Sequence, residues 1–324
     1  MNEPNGATQT MTKKVLITGA AGLVGQNLIP RLFSRGFTDI VAIDKHPTNT
    51  AILESNYPSV RLLRNDLAAN GASSRQWEPE LAGCDALVIG HAQIGGSHPE
   101  EFVRNNVQAT ERLLEAALRH KVPYIVSISS SVVNSMAVDD YTETKKAQEA
   151  LVAASGIKQI VLRPTLMFGW FDRKHVGWLA RFMQKVPVFP IPGSGKFLRQ
   201  PLFAGDFCDV IAAAIDKEMT GAYNITGQER IDYIDLIRAV KQATGAKARI
   251  LTIPYGLFWS LLKVNALFDR DPAFTVGQLK ALVTPDVFEV IDWPGIFSVR
   301  ATPLQEALNK TFRDPAYSHI TLDF

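Results

Sequence analysis

Tyr141 and Lys145 stand four positions apart in the helical stretch YTETKKAQEALVAA, so their side chains leave one face of the same helix. A free phenol has a pKa of about 10, too high for ready proton exchange at neutral pH. An ammonium one turn away favours the phenolate and brings the group toward the working range. The pair is therefore a candidate proton donor and acceptor. Three consecutive hydroxyls, Ser129, Ser130 and Ser131, lie one strand-to-helix crossing upstream, where they can hold a substrate oxygen. Tyr-x-x-x-Lys pairs also occur on amphipathic helices with no chemistry attached, so the reading depends on where the pair sits in the fold.

A second set of residues is suited to binding. Thr18-Gly19-Ala20-Ala21-Gly22-Leu23-Val24-Gly25 carries three glycines at GxxGxxG spacing, between the apolar run Val15-Leu16-Ile17 and a stretch of helical periodicity. Glycine is needed where the backbone turns sharply and where a diphosphate must approach main-chain N–H groups at a helix N-terminus. Asp44 closes the next apolar run, 19 positions after Gly25, as suits a carboxylate gripping the adenosine ribose hydroxyls. Asp44 favours NAD, because a carboxylate repels the 2′-phosphate of NADP. The adjacent Lys45 could meet such a phosphate, and NADP stays open. Asn65-Asp66-Leu67 sets a further carboxylate either near the adenine or in a solvated turn.

The elements that must position these groups alternate in type. Strands are predicted over 15–17, 40–43, 61–63, 86–89, 124–128 and 159–162, and helices over 23–33, 102–120 and 141–154. This alternation predicts an α/β fold, a Rossmann-type doubly wound parallel sheet, with the Ser cluster at the carboxyl edge where ligands bind. After Arg163-Pro164, Pro187, Pro190, Pro192 and Gly193-Ser194-Gly195 are expected to break up regular structure. Residues 222–225 read as a late strand returning to the sheet and 233–244 as a helix. The organisation expected is a dinucleotide-binding domain over 13–168 with a return segment near 200–228. A smaller mixed substrate-binding lobe is expected from 169–199 and 229–324. Residues 254–268 form the most apolar late segment, too short to span a bilayer, and are expected to pack as an amphipathic helix or lid.

Taken together, TGAAGLVG, Asp44, Asp66-Leu67, NNVQATERLLEAA, SSS, YTETK and the RPTLMFG run from Arg163 resemble the extended short-chain dehydrogenase/reductase family, the NAD-dependent epimerase/dehydratase group. The resemblance runs from about 14 to 226 and more loosely to 312. It implies that Tyr141 is the acid/base, that Lys145 anchors the nicotinamide ribose and lowers the Tyr pKa, and that Ser131, or in its place Ser130, orients the substrate oxygen. It implies cofactor contacts from Gly19, Gly22, Leu23, Val24, Gly25, Asp44, Lys45, Asp66 and Leu67. In GSGKFLRQPLFAGD it further implies that Arg199 faces a substrate diphosphate, a task for which a planar guanidinium is suited. The partner so implied is a nucleotide sugar, epimerised through a 4-keto intermediate. Dehydration is disfavoured, since no acidic pair directly follows the Ser cluster. Leu166 stands where sugar epimerases generally carry Asn, and the ten residues from Ser131 to Tyr141 are fewer than usual. Two other readings follow: a reductase or dehydrogenase of a hydrophobic hydroxyl or ketone compound, and a non-catalytic dinucleotide-binding accessory protein.

Composition narrows the partners. Hydrophobic residues make up 46% and charged residues 20%, with a formal net charge of +2, an ordinary globular balance. No basic stripe interleaved with aromatics points to nucleic acid. Cys84 and Cys208 sit in apolar settings and read as buried free thiols, as suits a reducing cytoplasm. His91 and His175 have no companions at metal-ligand spacing, so solvated or hydrogen-bonded side chains are expected and no metal. Residues 1–12 are polar, lack a signal-peptide apolar stretch and read as a loose leader. The helices over 102–120 and 141–154 could form a homodimer interface through Leu113, Leu114, Leu118, Leu151 and Val152, or bury those residues within one protomer.

Overall fold

Alternating apolar runs and helical stretches become, in chain order, β1 (Lys14–Thr18), α1 (Leu23–Ser34), β2 (Asp39–Asp44), α2 (Pro47–Asn56), β3 (Arg61–Arg64), β4 (Ala86–Ile89), α3 (Pro99–Phe102), α4 (Ala109–Arg119), β5 (Tyr124–Ile128), α5 (Asp140–Ala154) and β6 (Lys158–Pro164). There follow β7 (Met167–Phe168), α6 (His175–Lys185), β8 (Val188–Pro192), β9 (Leu198–Arg199), β10 (Leu202–Phe203), α7 (Ala204–Lys217), β11 (Gly221–Ile225), β12 (Ile231–Asp232), α8 (Tyr233–Thr244), β13 (Arg249–Ile253), α9 (Tyr255–Phe268), α10 (Val276–Val283), α11 (Trp293–Phe297) and α12 (Leu304–Arg313). The computed structural model describes residues 13–134, 139–268, 276–283 and 288–323. The main sheet is parallel with seven strands in the order β11-β6-β5-β4-β1-β2-β3, the Rossmann-type arrangement expected from the alternation.

The described residues fall into two compact units, one from 13–129, 139–161 and 214–222 and the other from 130–134, 162–213 and 223–323. In the first, β1 lies between β2 and β4, with Ile17 opposite Ala42 on one side and Val88 on the other. Strands covered on both faces by helices read as unbroken apolar runs, and β4 is buried at every residue. One cluster against this sheet joins Leu16, Val41, Leu87 and Ile125 to Leu113, Leu114 and Val152. Those helical residues are thus spent inside the protomer, whereas Leu118 is exposed. The helix expected over 102–120 is not uniform: a π-helical segment, Val103–Gln108, separates α3 from α4. Such wide turns are frequent at functional sites.

The second unit holds mixed two-stranded sheets: β7 with β10 and β8 with β13 in parallel, β9 with β12 antiparallel. Here two expectations fail. The prolines near 190 do not break regular structure, because β8 pairs only with β13, with Pro190 and Pro192 inside it. The bonds on either side of this pair, Arg249 N–H to Pro187 O at 2.9 Å and Gly193 N–H to Ile253 O at 2.7 Å, use neither Pro190 nor Pro192. Proline is tolerated on such an edge strand. The second failure is partial: α9 packs on one side, where Phe258 and Leu262 are partly buried, while Leu257, Leu261 and Val264 stand in solvent, because apolar residues occur around the helix and no single face can bury them all. No helix among the described residues is long and apolar enough to cross a membrane.

Candidate active site

The turn after β1 is shaped by contact as well as by torsion. Gly19 has φ +65°, and a Cβ there would lie 2.6 Å from the Gly90 carbonyl oxygen, since β4 runs beside β1. A Cβ on Gly25 would lie 2.3 Å from the Ala20 oxygen, so this glycine lets α1 seat on the turn. Gly22 is the N-cap of α1, which has no side-chain cap and no acidic residue in its first turn. Asp44, at the end of β2, accepts from Ala21 N–H at 2.9 Å through one oxygen and from His46 N–H at 3.0 Å through the other. Uncapped helix start, crowded glycines and a fixed carboxylate fit a dinucleotide, the diphosphate at the α1 N-terminus and the ribose diol at Asp44.

Beyond Asp44 lies a charged cluster. Lys45 Nζ donates to Asn105 Oδ1 at 2.8 Å and lies 3.8 Å from Asp66, which also pairs with Arg104 at 2.5 Å. Burial works to raise the Asp66 pKa. The Arg104 hydrogen bond, the Ala68 N–H and the charges of Lys45 and Arg104 outweigh it and hold the carboxyl below its ordinary value. Lys45 is thereby engaged with its neighbours. Arg104 and Asn105 belong to the π-helical segment and were missed as functional candidates. The signal available was the NNVQAT run, read only as a family feature.

The largest surprise surrounds Lys145, which is 1% exposed. Its ammonium donates to the Ile128 carbonyl at 2.8 Å, at the end of β5, and to Gln148 Oε1. Gln148 Nε2 donates to Thr110 Oγ1 at 2.8 Å, and Thr110 Oγ1 donates to the Asn106 carbonyl at 2.6 Å. The His91 ring completes the chain, its Nε2 3.1 Å from Thr110 Oγ1 and its Nδ1 2.8 Å from Thr18 Oγ1. Because the short Thr110 bond uses that hydroxyl's only proton, His91 Nε2 is assigned as the donor to Thr110 and Nδ1 as the acceptor from Thr18. Burial, with the charges of Lys145 and Lys45, depresses the imidazole to about 3, so His91 is neutral at physiological pH. Burial likewise lowers Lys145 to about 7, against a smaller opposing effect of Glu149. Asn106 fastens α5 to the loop after β4, donating to Thr144 Oγ1 at 3.0 Å and accepting from Gln93 N–H at 2.6 Å.

Tyr141 is half-buried in the first turns of α5, whose N-cap Asp139 accepts from Thr142 N–H at 2.7 Å. Ser129, the first hydroxyl of the cluster, is buried, and its Oγ has no hydrogen-bond partner among the described residues. The family resemblance points instead to its two neighbours, Ser130 and Ser131. In the second unit, Ser130 Oγ accepts from Val132 N–H at 3.4 Å, and Ser131 is buried at the start of a 3-10 turn. The Leu166 side chain is partly in solvent, while its carbonyl accepts from Leu202 N–H at 3.0 Å. Arg199 pairs across β9 and β12 with Ile231, and its guanidinium donates to the carbonyls of Leu198 and Leu282. A crevice in this unit is lined by Phe168, Leu202, Asp206, Glu229 and Trp293. Both of its acids are occupied: Asp206 accepts from Thr302 N–H at 2.7 Å and its hydroxyl at 2.6 Å, and Glu229 from Leu304 N–H at 2.7 Å. No group of metal-ligating side chains occurs among the described residues.

Comparison with known proteins gives the fold and site a lineage. The chain is 26% identical over 301 residues to the protein named uncharacterized UDP-glucose epimerase YtcB of Bacillus subtilis, covering 80% of this chain and 93% of that one. It is 23% identical over 278 residues to the ceramide reductase of Caulobacter vibrioides, covering 84% of each. The crystal structure of UDP-glucuronic acid 4-epimerase from Bacillus cereus in complex with NAD superposes with a TM-score of 0.65 at 21% identity, covering 92% of this chain and 96% of that one, a likeness of fold. Residues 15–226, from the first strand through the last strand of the main sheet, match the family described as NAD dependent epimerase/dehydratase. The chain is an enzyme of the NAD dependent epimerase/dehydratase family, with NAD as its cofactor.

Proposed function

We propose that the enzyme epimerises a nucleotide-diphosphate sugar. The observation that carries the reading is an ammonium buried one turn after Tyr141, with its position fixed by the Ile128 carbonyl and Gln148. NAD, when bound, supplies the acceptor and later the donor of the sugar's hydride. The sugar hydroxyl gives its proton to the Tyr141 oxygen as the carbon becomes a ketone, and the same proton returns when the hydride is delivered to the opposite face. Lys145 holds the nicotinamide ribose and favours the phenolate, and its fixed position keeps both effects constant through the cycle. Ser131, with Ser130 as the alternative, orients the substrate oxygen. The turn Gly19, Gly22, Leu23, Val24 and Gly25 receives the diphosphate of the dinucleotide. Asp44 takes its ribose, and Lys45, Asp66 and Leu67 border its adenine. Arg199 faces the substrate diphosphate, exchanging carbonyl acceptors for phosphate oxygens, and Leu166 borders the sugar. Dehydration is disfavoured because Asp139 is committed to capping α5, which leaves Asp140 as the one other carboxylate between the Ser cluster and Tyr141. The second unit serves as the substrate lobe, and the exposed Leu118 belongs to a homodimer contact. The two free, buried cysteines suit a cytoplasmic enzyme.

The test is incubation of the purified enzyme with UDP- and dTDP-sugars and NAD. Inversion at one sugar carbon without net NADH is the expected outcome. Stoichiometric NAD(P)H consumption on a non-nucleotide ketone, with no change in any sugar, would replace this reading by a second one. That second reading, a reductase of a hydrophobic carbonyl compound, is favoured by Leu166 in place of a polar contact and by the ceramide reductase among the relatives.

A further inference from the structure

The stretch from β13 through α9 displays more apolar side chain than any other part of the described molecule. Of the thirteen large hydrophobic residues exposed among the described residues, six lie within 251–264: Leu251, Tyr255, Leu257, Trp259, Leu261 and Val264. Leu257, Leu261 and Val264 follow i, i+4, i+7 spacing, the pattern by which a helix normally faces a protein core. Here that stripe is the solvent side, each residue being 53–54% exposed. Large apolar side chains clustered in exposed positions of this kind mark an interaction site.

Charge selects what covers it. Between Asp235 and Asp269 the sequence contains no acidic residue, while Arg238, Lys241, Lys247, Arg249 and Lys263 supply five cations. Arg238 pairs with Asp235, and Lys247, Arg249 and Lys263 are exposed. The nearest later carboxylates, Asp269 and Asp271, fall outside the described residues. Lys263 Nζ lies over the Trp259 ring at 5.3 Å from its centroid, and helical spacing puts this cation and amphipathic aromatic together on the side of α9 away from the leucine stripe. A helix with leucines on one side and a lysine and an amphipathic aromatic on the other settles at the boundary between headgroups and acyl chains, leucines inward and cation outward. With 14 residues, α9 is about 21 Å long, short of the ~30 Å hydrocarbon core, so it can lie in that boundary and cannot cross it.

We infer that β13 and α9 form a membrane-docking element, which seats the second unit on an anionic lipid surface with Leu257, Leu261 and Val264 among the acyl chains and Lys247, Arg249 and Lys263 at the headgroups. The inference does not depend on which reaction the enzyme catalyses. It is tested by flotation of the full chain with vesicles of phosphatidylcholine alone and of phosphatidylcholine containing about 30% phosphatidylglycerol. The wild type should float with the anionic vesicles and not with the neutral ones. Leu257→Glu combined with Leu261→Glu should lower its partition about tenfold or more, and Lys247→Glu with Arg249→Glu should remove the preference for anionic lipid. Melting temperature and NAD affinity of these variants report that the fold is kept. Brominated lipid should quench part of the tryptophan fluorescence of the wild type, and Trp259→Phe should abolish that part while leaving the fold untouched. Failure of the wild type to float, or flotation undiminished in the glutamate variant, overturns the inference. So does a wild-type dimer in light scattering that the glutamate variant splits, since a second copy would then be the covering surface.

Discussion

Two lysines show how differently the two units treat a cation. Lys145 is enclosed and its ammonium is held by a carbonyl and by the Gln148 amide, which is itself held by Thr110 and, behind it, His91 and Thr18. Lys263 stands in solvent over an indole, with exposed leucines on the same helix. A buried charge survives only if its surroundings satisfy it, so the first unit must devote a connected set of side chains to one ammonium. An exposed charge needs no such support and leaves its neighbours free to vary. Chemistry that depends on a fixed distance therefore belongs in the first unit, and contact with partners of variable shape suits the second.

The largest effect on this contrast comes from the group the buried lysine serves. Tyr141→Phe removes the proton-transfer atom and keeps the ring, so turnover should fall about 10³-fold while NAD binding, measured by titration, is retained. Turnover within a few-fold of wild type would break the assignment and leave the Lys145 network as a structural feature.

The network also sharpens the comparison through pH. Lys145 has a pKa of about 7 in the folded enzyme against an ordinary value of 10.5. Between these values the unfolded chain carries a proton that the folded enzyme has released, so unfolding takes up a proton and stability rises with pH across that window. Below pH 7 both states are protonated and the penalty of the buried charge is complete. Lys145→Met has no such group. The wild type should therefore gain stability relative to this variant on going from pH 7 to pH 10, as read by urea denaturation at each pH. A constant difference would mean that Lys145 is solvated in solution.

Legibility from sequence follows the same division. The glycine turn and Asp44 could be read because their constraints are local, and Tyr141 and Lys145 because helical spacing alone puts them on one face. The partners of Lys145 could not: Thr110 and Gln148 are 38 positions apart, and His91 reaches Thr110 from another element. Only the sheet, which places the end of β4 beside β5, assembles them. The strand character of β8 was hidden for a related reason. Its partner residues in β13 lie about 60 positions later, and local signals showed only prolines. For α9 the apolar stretch was plain, but hydrophobicity does not state whether the protein itself provides the cover.

The glycine turn offers a smaller effect with an internal control. Gly19 and Gly36 both have positive φ, +65° and +85°, but a Cβ on Gly19 meets the Gly90 backbone whereas nothing lies within 4 Å of one on Gly36. Gly36→Ala should cost only the torsional strain, about 1 kcal/mol. Gly19→Ala adds a collision between two backbones and should cost about 2 kcal/mol or more, with NAD affinity falling as well. Equal losses by denaturant titration would show that crowding at the turn is relieved by movement of β4.

The smallest expected effect tests whether the second unit binds substrate through a residue that already has partners. Arg199 donates to two carbonyls, so removing it strips a charge from the proposed diphosphate site and leaves the Leu198 and Leu282 oxygens to water. Because one of these bonds is exposed and the other only part-buried, their loss should be mild in stability. The lost charge-assisted contact should raise the KM for a nucleotide sugar about tenfold, with kcat and NAD affinity little changed. The split between KM and stability decides the role. A raised KM at constant melting temperature supports the phosphate contact. A lowered melting temperature with parallel loss of sugar and NAD binding would make Arg199 a brace between β9 and α10, and the diphosphate would then require another cation of the second unit.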